Sequence, residues 1–569
     1  MEGKPRFGET ITLDEPPPAL GGATLVISDD GRTAIASDPD RDRIVIVDTS
    51  TRAVREVALT KGDEPGRLVE DDLGRVHVVL RRSGSIATID LADGAVAARR
   101  FVCAAPRGIA HRAGSLYVAC AGGELMTLGT ETTTSATLVA RLDRDLRDVV
   151  VTNEHIFVST FRSAHVLILG LAGNVLQRQA PPSHDADAQR AARVPGVAWR
   201  MVKSGDVVRV VHQQARKDRI PTEQPGAYAT TTNNCQALTV SATARIGTDV
   251  PELGPILADG VLPIDLAVSK DESRWAVIAA GNAHIPELPQ IHVSRPTQGN
   301  CVLQPASEHV GKTDIRRMNS DPPGEHVAAA FLPDNRLVVF SREPAAIHVR
   351  FGDENDVKWS TIPVGGPSRR DTGHAILHSN SGGGIACASC HPEGGEDGLT
   401  WRLGDAFVRT QSLRDTLDGT GPYHWRGEIP DLETLAHSAF SGRMSGPRLA
   451  ADQVGALNAW MLRIPRLPAS VVDEAARARG QALFEGAGCA SCHSGTRFTD
   501  NRSVDVGTGG NIQVPSLIGV ALRAPFMHDG CAATLLSGFS EKCGGAKHAT
   551  VAQLTDEERS DLERYLESL

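Results

Sequence analysis

The first 365 or so residues alternate short apolar runs, rich in β-branched side chains, with polar turns that contain glycine, aspartate and proline. Four of these runs recur at residues 44–48, 86–90, 125–129 and 166–170, and their ends are separated by 42, 39 and 41 residues. A repeat of roughly 40 to 45 residues made only of strands is typical of one β-propeller blade. The pattern therefore predicts an N-terminal all-β propeller over residues 1–365, with about seven blades at that period.

Strand patterning alone also fits a β-sandwich or two smaller β domains, although the even spacing favours the propeller. The stretch at residues 181–255 breaks the rhythm and is consistent with a long insertion. Residues 33–37 and 116–119 resemble the YVTN-type blades of bacterial propellers. That resemblance implies a fold and no particular activity.

From about residue 366 the apolar positions follow helical periodicity, and glycine-rich loops separate the predicted helices. Helices are predicted at residues 452–462 and 471–484, the second with Ser470 as its N-cap. Thr555 and Glu558 form a capping box before a last helix whose apolar face contains Leu562 and Tyr565. The sequence therefore predicts a mainly α module after the propeller.

Two CxxCH motifs lie in this helical region. In such a motif the two cysteines form thioethers with the haem vinyl groups, and the histidine becomes the proximal iron ligand. A zinc site is the rival interpretation of such a motif, but neither motif has a second pair of ligands nearby to complete four. The motifs predict two covalently bound haem c groups, in cytochrome c-like domains at residues 366–468 and 469–569. The haem-binding residues are Cys387, Cys390 and His391 in the first motif and Cys489, Cys492 and His493 in the second.

Charge and hydropathy exclude some partners. The net charge of -10 is spread along the chain without long runs of one sign, which argues against nucleic acid and against an anionic membrane surface. No stretch approaches the ~20 apolar residues that a transmembrane helix needs. The first thirty residues also lack the apolar core of a signal peptide. We therefore expect a protein without a membrane span, whose export signal is not present in this chain.

The cysteines indicate the compartment. Haem c is attached outside the cytoplasm, and structural disulfides persist where the environment is oxidising, so the protein is expected in the periplasm or otherwise exported. The six cysteines outside the motifs allow fifteen connectivities. Order along the chain favours Cys103–Cys120, Cys235–Cys301 and Cys531–Cys543, with free buried thiols as the alternative.

Residues 371–569 resemble the bacterial dihaem cytochrome c peroxidase and MauG family. The matching segments are 384–391, 409–413 with 423–427, and 513–530, of which the last is the most specific. The resemblance implies that the first haem reacts with peroxide, that the second transfers electrons, and that Trp425 lies between them. It also implies a calcium site, for which Thr410 replaces the family's asparagine and the backbone carbonyls of Arg523 and Pro525 remain as ligands.

The chain departs from the family above the irons. Arg443 stands where the family has the glutamate that assists peroxide cleavage, and Leu435 replaces its distal glutamine. His437 and Glu433 are the nearest titratable substitutes, and His437 is also a candidate ligand of the first iron. For the second iron, Lys542 occupies the family's distal position. His548 is the preferred distal ligand there, and Met527 is the alternative.

Together these features predict a periplasmic dihaem c-type oxidoreductase that reacts with hydrogen peroxide. It would exchange electrons with a donor or substrate protein docked on or near the propeller, with Trp425, His437 and Glu433 as candidate catalytic residues. The alternative is a non-catalytic electron-transfer protein in which both irons are six-coordinate. A third hypothesis makes the propeller itself an enzyme or metal-binding domain. It requires histidines from different blades to converge, namely His212, His284 and His292.

Overall fold

The computed structural model describes residues 3–183, 192–222, 225–229, 237–257, 259–294, 321–352, 356–469, 472–549, 551 and 553–569. Residues 25–363 form seven antiparallel sheets, of which six have four strands and one has three described strands. The first strands of successive sheets contact one another, and the ring closes where the last sheet meets the first. The N-terminal domain is therefore a seven-bladed β-propeller, and the sandwich alternative is wrong.

Within each blade the strands pair in chain order. The strands of blades one to four are β1 (Leu25–Ile27), β2 (Thr33–Asp38), β3 (Arg43–Asp48), β4 (Val54–Ala58); β5 (Pro65–Glu70), β6 (Arg75–Leu80), β7 (Ser85–Asp90), β8 (Val96–Phe101); β9 (Pro106–Arg112), β10 (Ser115–Cys120), β11 (Glu124–Gly129), β12 (Thr137–Arg141); β13 (Leu146–Val151), β14 (His155–Thr160), β15 (Val166–Gly170) and β16 (Val175–Gln179). Those of blades five to seven are β17 (Arg193–Ser204), β18 (Val207–Arg216), β19 (Thr239–Ile246), β20 (Glu252–Leu257); β21 (Pro263–Val268), β22 (Trp275–Ala279), β23 (Ile291–Ser294); β24 (Glu325–Phe331), β25 (Leu337–Glu343), β26 (Ala345–Phe351) and β27 (Lys358–Pro363).

The recurring apolar runs are the third strands of the first four blades, β3, β7, β11 and β15. The irregular stretch at residues 181–255 is mostly a complete fifth blade with unusually long strands. Its rhythm differs because residues 217–238 connect β18 to β19 in place of a short hairpin. This connection leaves the propeller, and the Ile220 amide donates to the Arg402 carbonyl at 2.9 Å.

The C-terminal region is mainly helical and contains two short hairpins. Its elements are α1 (Thr372–His378), α2 (Cys387–Cys390), β28 (Thr400–Leu403), β29 (Ala406–Arg409), α3 (Leu432–Ala436), α4 (Ala451–Met461), α5 (Glu474–Gly486), β30 (Ser503–Asp505), β31 (Asn511–Gln513) and α6 (Asp556–Glu567). Helix α3 continues as a π-helical turn, His437–Arg443. Among the helices of the described ranges, none has the length and apolar character that crossing a membrane requires.

The predicted helices are present, with one change at a helix start. Helix α4 agrees with the prediction to within one residue at each end, and the capping box before α6 is formed by Thr555 and Glu558. Helix α5 begins later than predicted because the Asp473 carboxylate caps it by accepting from the Ala476 amide at 2.8 Å. The predicted cap, Ser470, lies outside the described residues.

Two helix pairs cross in the same way, α1 with α4 and α5 with α6. A Cβ added at Gly373 of α1 would lie 2.2 Å from a backbone oxygen of α4 and 2.7 Å from the Trp460 Cβ. At Gly480 of α5 the corresponding distances are 2.0 Å to a backbone oxygen of α6 and 2.8 Å to the Tyr565 Cβ. Only glycine permits so close an approach. The repeated crossing indicates two related helical units, one around each CxxCH motif.

Two of the predicted disulfides are confirmed, Cys103–Cys120 in blade three and Cys531–Cys543 in the C-terminal unit. Cys235 and Cys301 lie outside the described residues.

Replacing Cys103 by serine is expected to lower the free energy of unfolding by about 3 kcal/mol. The disulfide joins residues 17 positions apart, so its loss restores chain entropy to the unfolded propeller. Urea denaturation of the full chain, followed by circular dichroism, measures the difference. Reducing the wild-type protein should remove the difference between the two curves, whereas superimposable curves before reduction would contradict the prediction.

Candidate haem site

Both CxxCH motifs open on a single cavity of about 730 Å³ in the C-terminal region. The four motif cysteines are free thiols, and each motif contributes both of its cysteines and its histidine to the cavity wall. Apolar side chains form most of the remaining wall, which suits a flat, largely apolar macrocycle.

Hydrogen bonding and burial favour the neutral form of both motif histidines. The His391 Nδ1 lies 3.2 Å from the Gly395 carbonyl oxygen, and the His493 Nδ1 lies 3.1 Å from that of Phe498. A hydrogen bond donated from Nδ1 leaves Nε2 with the lone pair that an iron ligand needs. Burial lowers the pKa of both imidazoles, that of His493 to about 4. The thiols and imidazoles of both motifs therefore fit covalently attached haem c.

We call the part of the cavity near the first motif its first half and the part near the second motif its second half. Both candidate distal ligands of the second iron lie in the second half. His548 and Met527 line it together with His493. The His548 Nδ1 lies 3.2 Å from the Gly538 carbonyl oxygen, and burial lowers the pKa of this histidine. Its ring stacks on Phe539 at a centroid distance of 5.7 Å. His548 is therefore a neutral, fixed imidazole on the same cavity as His493.

The structure does not bring His437 or Glu433 to the cavity. Leu435, Ala439 and Arg443 line it, and their spacing of four residues places them on one face of α3 and its π-helical turn. Glu433 is exposed, His437 is half-buried, and neither is among the residues that line the cavity. The cavity lining therefore gives no support to the prediction that these two residues handle peroxide.

Other polar side chains line the first half of the cavity, among them Tyr228, Arg443 and His424. The His424 Nδ1 lies 3.0 Å from a carboxylate oxygen of Glu428. Burial lowers the pKa of His424, while the Glu428 carboxylate opposes this shift. His424 directly precedes Trp425, which is a signal that sequence reasoning could have used. Tyr228 gave no such signal because it comes from the propeller.

Trp425 lies at the junction of the two halves. Its Nε1 donates to the Arg409 carbonyl at 2.7 Å, and its ring meets that of His528 edge-on at 6.2 Å. Residues 421–427 and 524–530 repeat one conformation, with left-handed φ angles of 68° at His424 and 69° at Met527. Trp425 and His528 are equivalent positions in this repeat, so the two halves are related about the point where these rings meet.

Two of the positions proposed around calcium, Arg523 and Thr410, are already bonded to other groups. The Arg523 carbonyl accepts from the Arg409 Nη2 at 2.7 Å, and the Thr410 hydroxyl accepts from the Trp401 Nε1 at 3.1 Å. A guanidinium on the carbonyl repels a divalent cation. Within the described ranges, no group of three or more His, Cys, Asp or Glu side chains is arranged to hold a metal ion. The contacts of Arg523 and Thr410 therefore give no support to a calcium ion at this place.

The propeller histidines do not converge. His212 lies on β18 and His292 on β23, in neighbouring blades, whereas His284 lies 3.7 Å from a carboxylate oxygen of Glu325. His212 contacts the Gln213 carbonyl through Nδ1 at 2.9 Å. The described part of the propeller therefore gives no support to a separate catalytic or metal site built on these histidines.

The propeller binds the loop that follows the first motif through buried ion pairs. Glu393 is only 4% exposed, and its carboxylate lies 2.6 Å from the Arg107 Nη1 and 2.5 Å from the Arg147 Nη1. Arg414 and Arg81 are more distant, at 3.4 and 3.7 Å. Burial alone would raise the pKa of Glu393, but the four arginines hold it well below its ordinary value. The loop that presents His391 is thus anchored to blades two, three and four.

Residues 477–569 match the family described as Cytochrome c. The C-terminal region therefore contains a cytochrome c domain, which implies covalently bound haem c and supports a haem c oxidoreductase. The C-terminal part is similar to the methylamine utilization protein MauG of Methylorubrum extorquens, with 27% identity over 299 residues, 40% of this chain and 84% of MauG.

Two solved structures are similar to longer parts of the chain. The first is a chain of Kuenenia stuttgartiensis hydrazine synthase, with 17% identity and a TM-score of 0.43, covering 63% of this chain and 99% of that one. The second is virginiamycin B lyase from Staphylococcus aureus, with 11% identity and a TM-score of 0.37, covering 58% of this chain and 94% of that one.

Proposed function

We propose that this protein is an exported oxidoreductase that binds one haem c at each CxxCH motif and reduces hydrogen peroxide in the first half of the cavity. It exchanges electrons with a protein docked on or near the propeller. The observation that carries the proposal is the single cavity that joins both attachment motifs, with Trp425 at its junction.

The residues of the two halves support different roles. When bound, the haem irons supply one-electron redox chemistry and a binding place for peroxide. In the second half, His548 would hold the iron as a sixth ligand, which suits electron transfer. In the first half, Tyr228, Arg443 and His424 contribute hydrogen-bonding groups to the cavity wall. The indole of Trp425 is an aromatic group placed between the halves, where it shortens the path of an electron.

Export is part of the proposal. Disulfides are stable where the environment is oxidising, and the two described disulfides lie in different domains of the chain. The thioether attachment of haem c belongs to the same environment.

A second candidate function, electron transfer without catalysis, is favoured by the ligating side chains on the cavity wall. His424 and Met444 line the first half, and His548 and Met527 line the second. If one side chain from each pair binds iron, neither iron is open to peroxide.

Replacing His548 by alanine is expected to convert the iron at the second motif from low-spin to high-spin, because the sixth ligand is lost. Electron paramagnetic resonance of the oxidised full-length protein measures the change. The wild type is expected to show one high-spin and one low-spin ferric signal, and the variant two high-spin signals. Met527→Leu is the control and should resemble the wild type.

Two results would contradict these expectations. A low-spin signal that survives in the His548 variant would exclude His548 as the ligand. Two low-spin signals in the wild type, with an optical spectrum unchanged by added peroxide, would exclude peroxide reduction and favour the simple electron carrier.

A further inference from the structure

The connection between β18 and β19 of the propeller forms part of the wall of the first half of the cavity. Thr222, Tyr228 and Leu238, all from this connection, line it. Two backbone hydrogen bonds of 2.9 Å hold the connection in place, from the Gly226 amide to the Gly442 carbonyl and from the Tyr228 amide to the Arg443 carbonyl. The propeller therefore contributes to the candidate haem site itself.

The phenol of Tyr228 is the polar group at the tip of this contact. The Arg443 Nη1 donates to its oxygen at 3.2 Å, and the guanidinium lies 5.7 Å from the ring centroid. A phenol that accepts a hydrogen bond still has its own hydrogen to donate. Among the residues that the structure describes, none accepts this hydrogen. Burial raises the pKa of Tyr228 and outweighs the opposing effect of Arg443, so the hydrogen is present at neutral pH.

We propose that Tyr228 is a catalytic residue that donates a hydrogen bond to a peroxide oxygen held in the first half of the cavity, while Arg443 positions the phenol. The inference rests on the proposed function. Reduction of one hydrogen peroxide breaks its O–O bond and consumes two electrons and two protons to give two waters. The electrons come from the protein partner and the protons from solvent, so Tyr228 keeps its own hydrogen overall.

This arrangement accounts for the missing carboxylate. Peroxide cleavage needs a polar group that stabilises charge developing on the departing oxygen. Arg443 supplies the positive charge from the C-terminal region, and Tyr228 supplies the donor from the propeller. The donor therefore lies about two hundred residues away in the chain from the place where sequence reasoning sought it.

Tyr228→Phe tests the inference, with fluoride as the probe of hydrogen bonding at an open ferric iron. In the oxidised full-length protein, the variant is expected to bind fluoride about tenfold more weakly, because a hydrogen bond to an anion is lost. Its reaction with peroxide should slow about a hundredfold. Tyr423→Phe is the matched control, because Tyr423 also lines the cavity but donates to the Leu417 carbonyl at 3.3 Å.

The outcomes separate the two proposals. A wild type that reacts with peroxide, together with a Tyr228→Phe variant that matches it in fluoride affinity and rate, would overturn the role of Tyr228 alone. A wild type that neither binds fluoride nor responds to peroxide would overturn the proposed function and the role of Tyr228 with it. Weaker fluoride binding in the Tyr228 variant but not in the Tyr423 variant supports the inference.

Discussion

Replacing Glu393 by glutamine is expected to lower the free energy of unfolding by about 3 to 5 kcal/mol. The substitution removes the buried negative charge that Arg107 and Arg147 contact at 2.6 and 2.5 Å. Two guanidiniums then stay buried without their counter-charge, which costs more than the original pair contributes. Denaturant unfolding of the full-length protein measures the loss, with circular dichroism reporting on the propeller and haem absorbance on the C-terminal region.

The matched control is Glu474→Gln. Glu474 pairs with Arg477 on the surface of α5, where its side chain is 76% exposed, so this substitution should change the free energy of unfolding much less than Glu393→Gln does. The two substitutions remove the same charge, and only burial differs. Equal effects of the two variants would show that the contact of Glu393 with the propeller adds nothing to stability.

The Glu393 effect should also depend on pH. The arginines hold the pKa of Glu393 below its ordinary value of about 4.3, so its contribution is fully present above about pH 5. It is lost as pH falls through the lowered pKa, because the folded carboxylate is then protonated. The stability difference between wild type and variant should therefore narrow in acid, and a difference that grows in acid would contradict this account.

Replacing both Cys489 and Cys492 by serine is expected to halve the covalently bound haem, from two groups per chain to one. Serine cannot form the thioether bonds, whereas the first motif is unchanged. Phe484 of α5 and Leu562 of α6 line the second half of the cavity, so without haem the α5–α6 pair loses an apolar surface on which it packs. We therefore expect residues 472–569 to become sensitive to protease. Intact mass and pyridine haemochrome absorbance measure the haem content.

Cys103→Ser is the control for the double substitution. It also removes a cysteine, but it lies in the propeller and belongs to a disulfide, so haem content should not change. Haem loss in this control would indicate a general failure of maturation. An unchanged haem content in the Cys489, Cys492 variant would contradict attachment at the second motif.

Local patterns predicted most of the fold. The third strands of four blades repeat every 40 residues or so because each blade is folded by contacts among neighbours in the chain. The capping box at Thr555 predicted the start of α6 for the same reason. The fifth blade is less visible in the sequence because the long connection between β18 and β19 interrupts the repeat; its described residues, such as Ile220 and Tyr228, hydrogen-bond to the C-terminal region.

The sequence predicts the attachment motifs of the candidate site but not most of the side chains on the rest of the cavity wall. His437 and Glu433 are close in sequence to the position of the missing glutamate, but Leu435, Ala439 and Arg443 line the cavity instead. His548 comes before the last helix in the sequence, and it does line the cavity. A residue that is close in sequence to a site is easily recognised when it lies on a loop. On a helix, closeness in sequence does not show whether the residue lies on the face that reaches the site.

By itself, the sequence determined where haem is attached, because the thioether cysteines and the proximal histidine lie within five consecutive residues. It also determined the propeller, because each blade repeats a local pattern. Only the tertiary structure decided which side chains line the cavity on which the two motifs open. Those side chains include Tyr228, His424, Arg443 and His548, which are distant in the chain and meet only when the propeller and the helical region pack together.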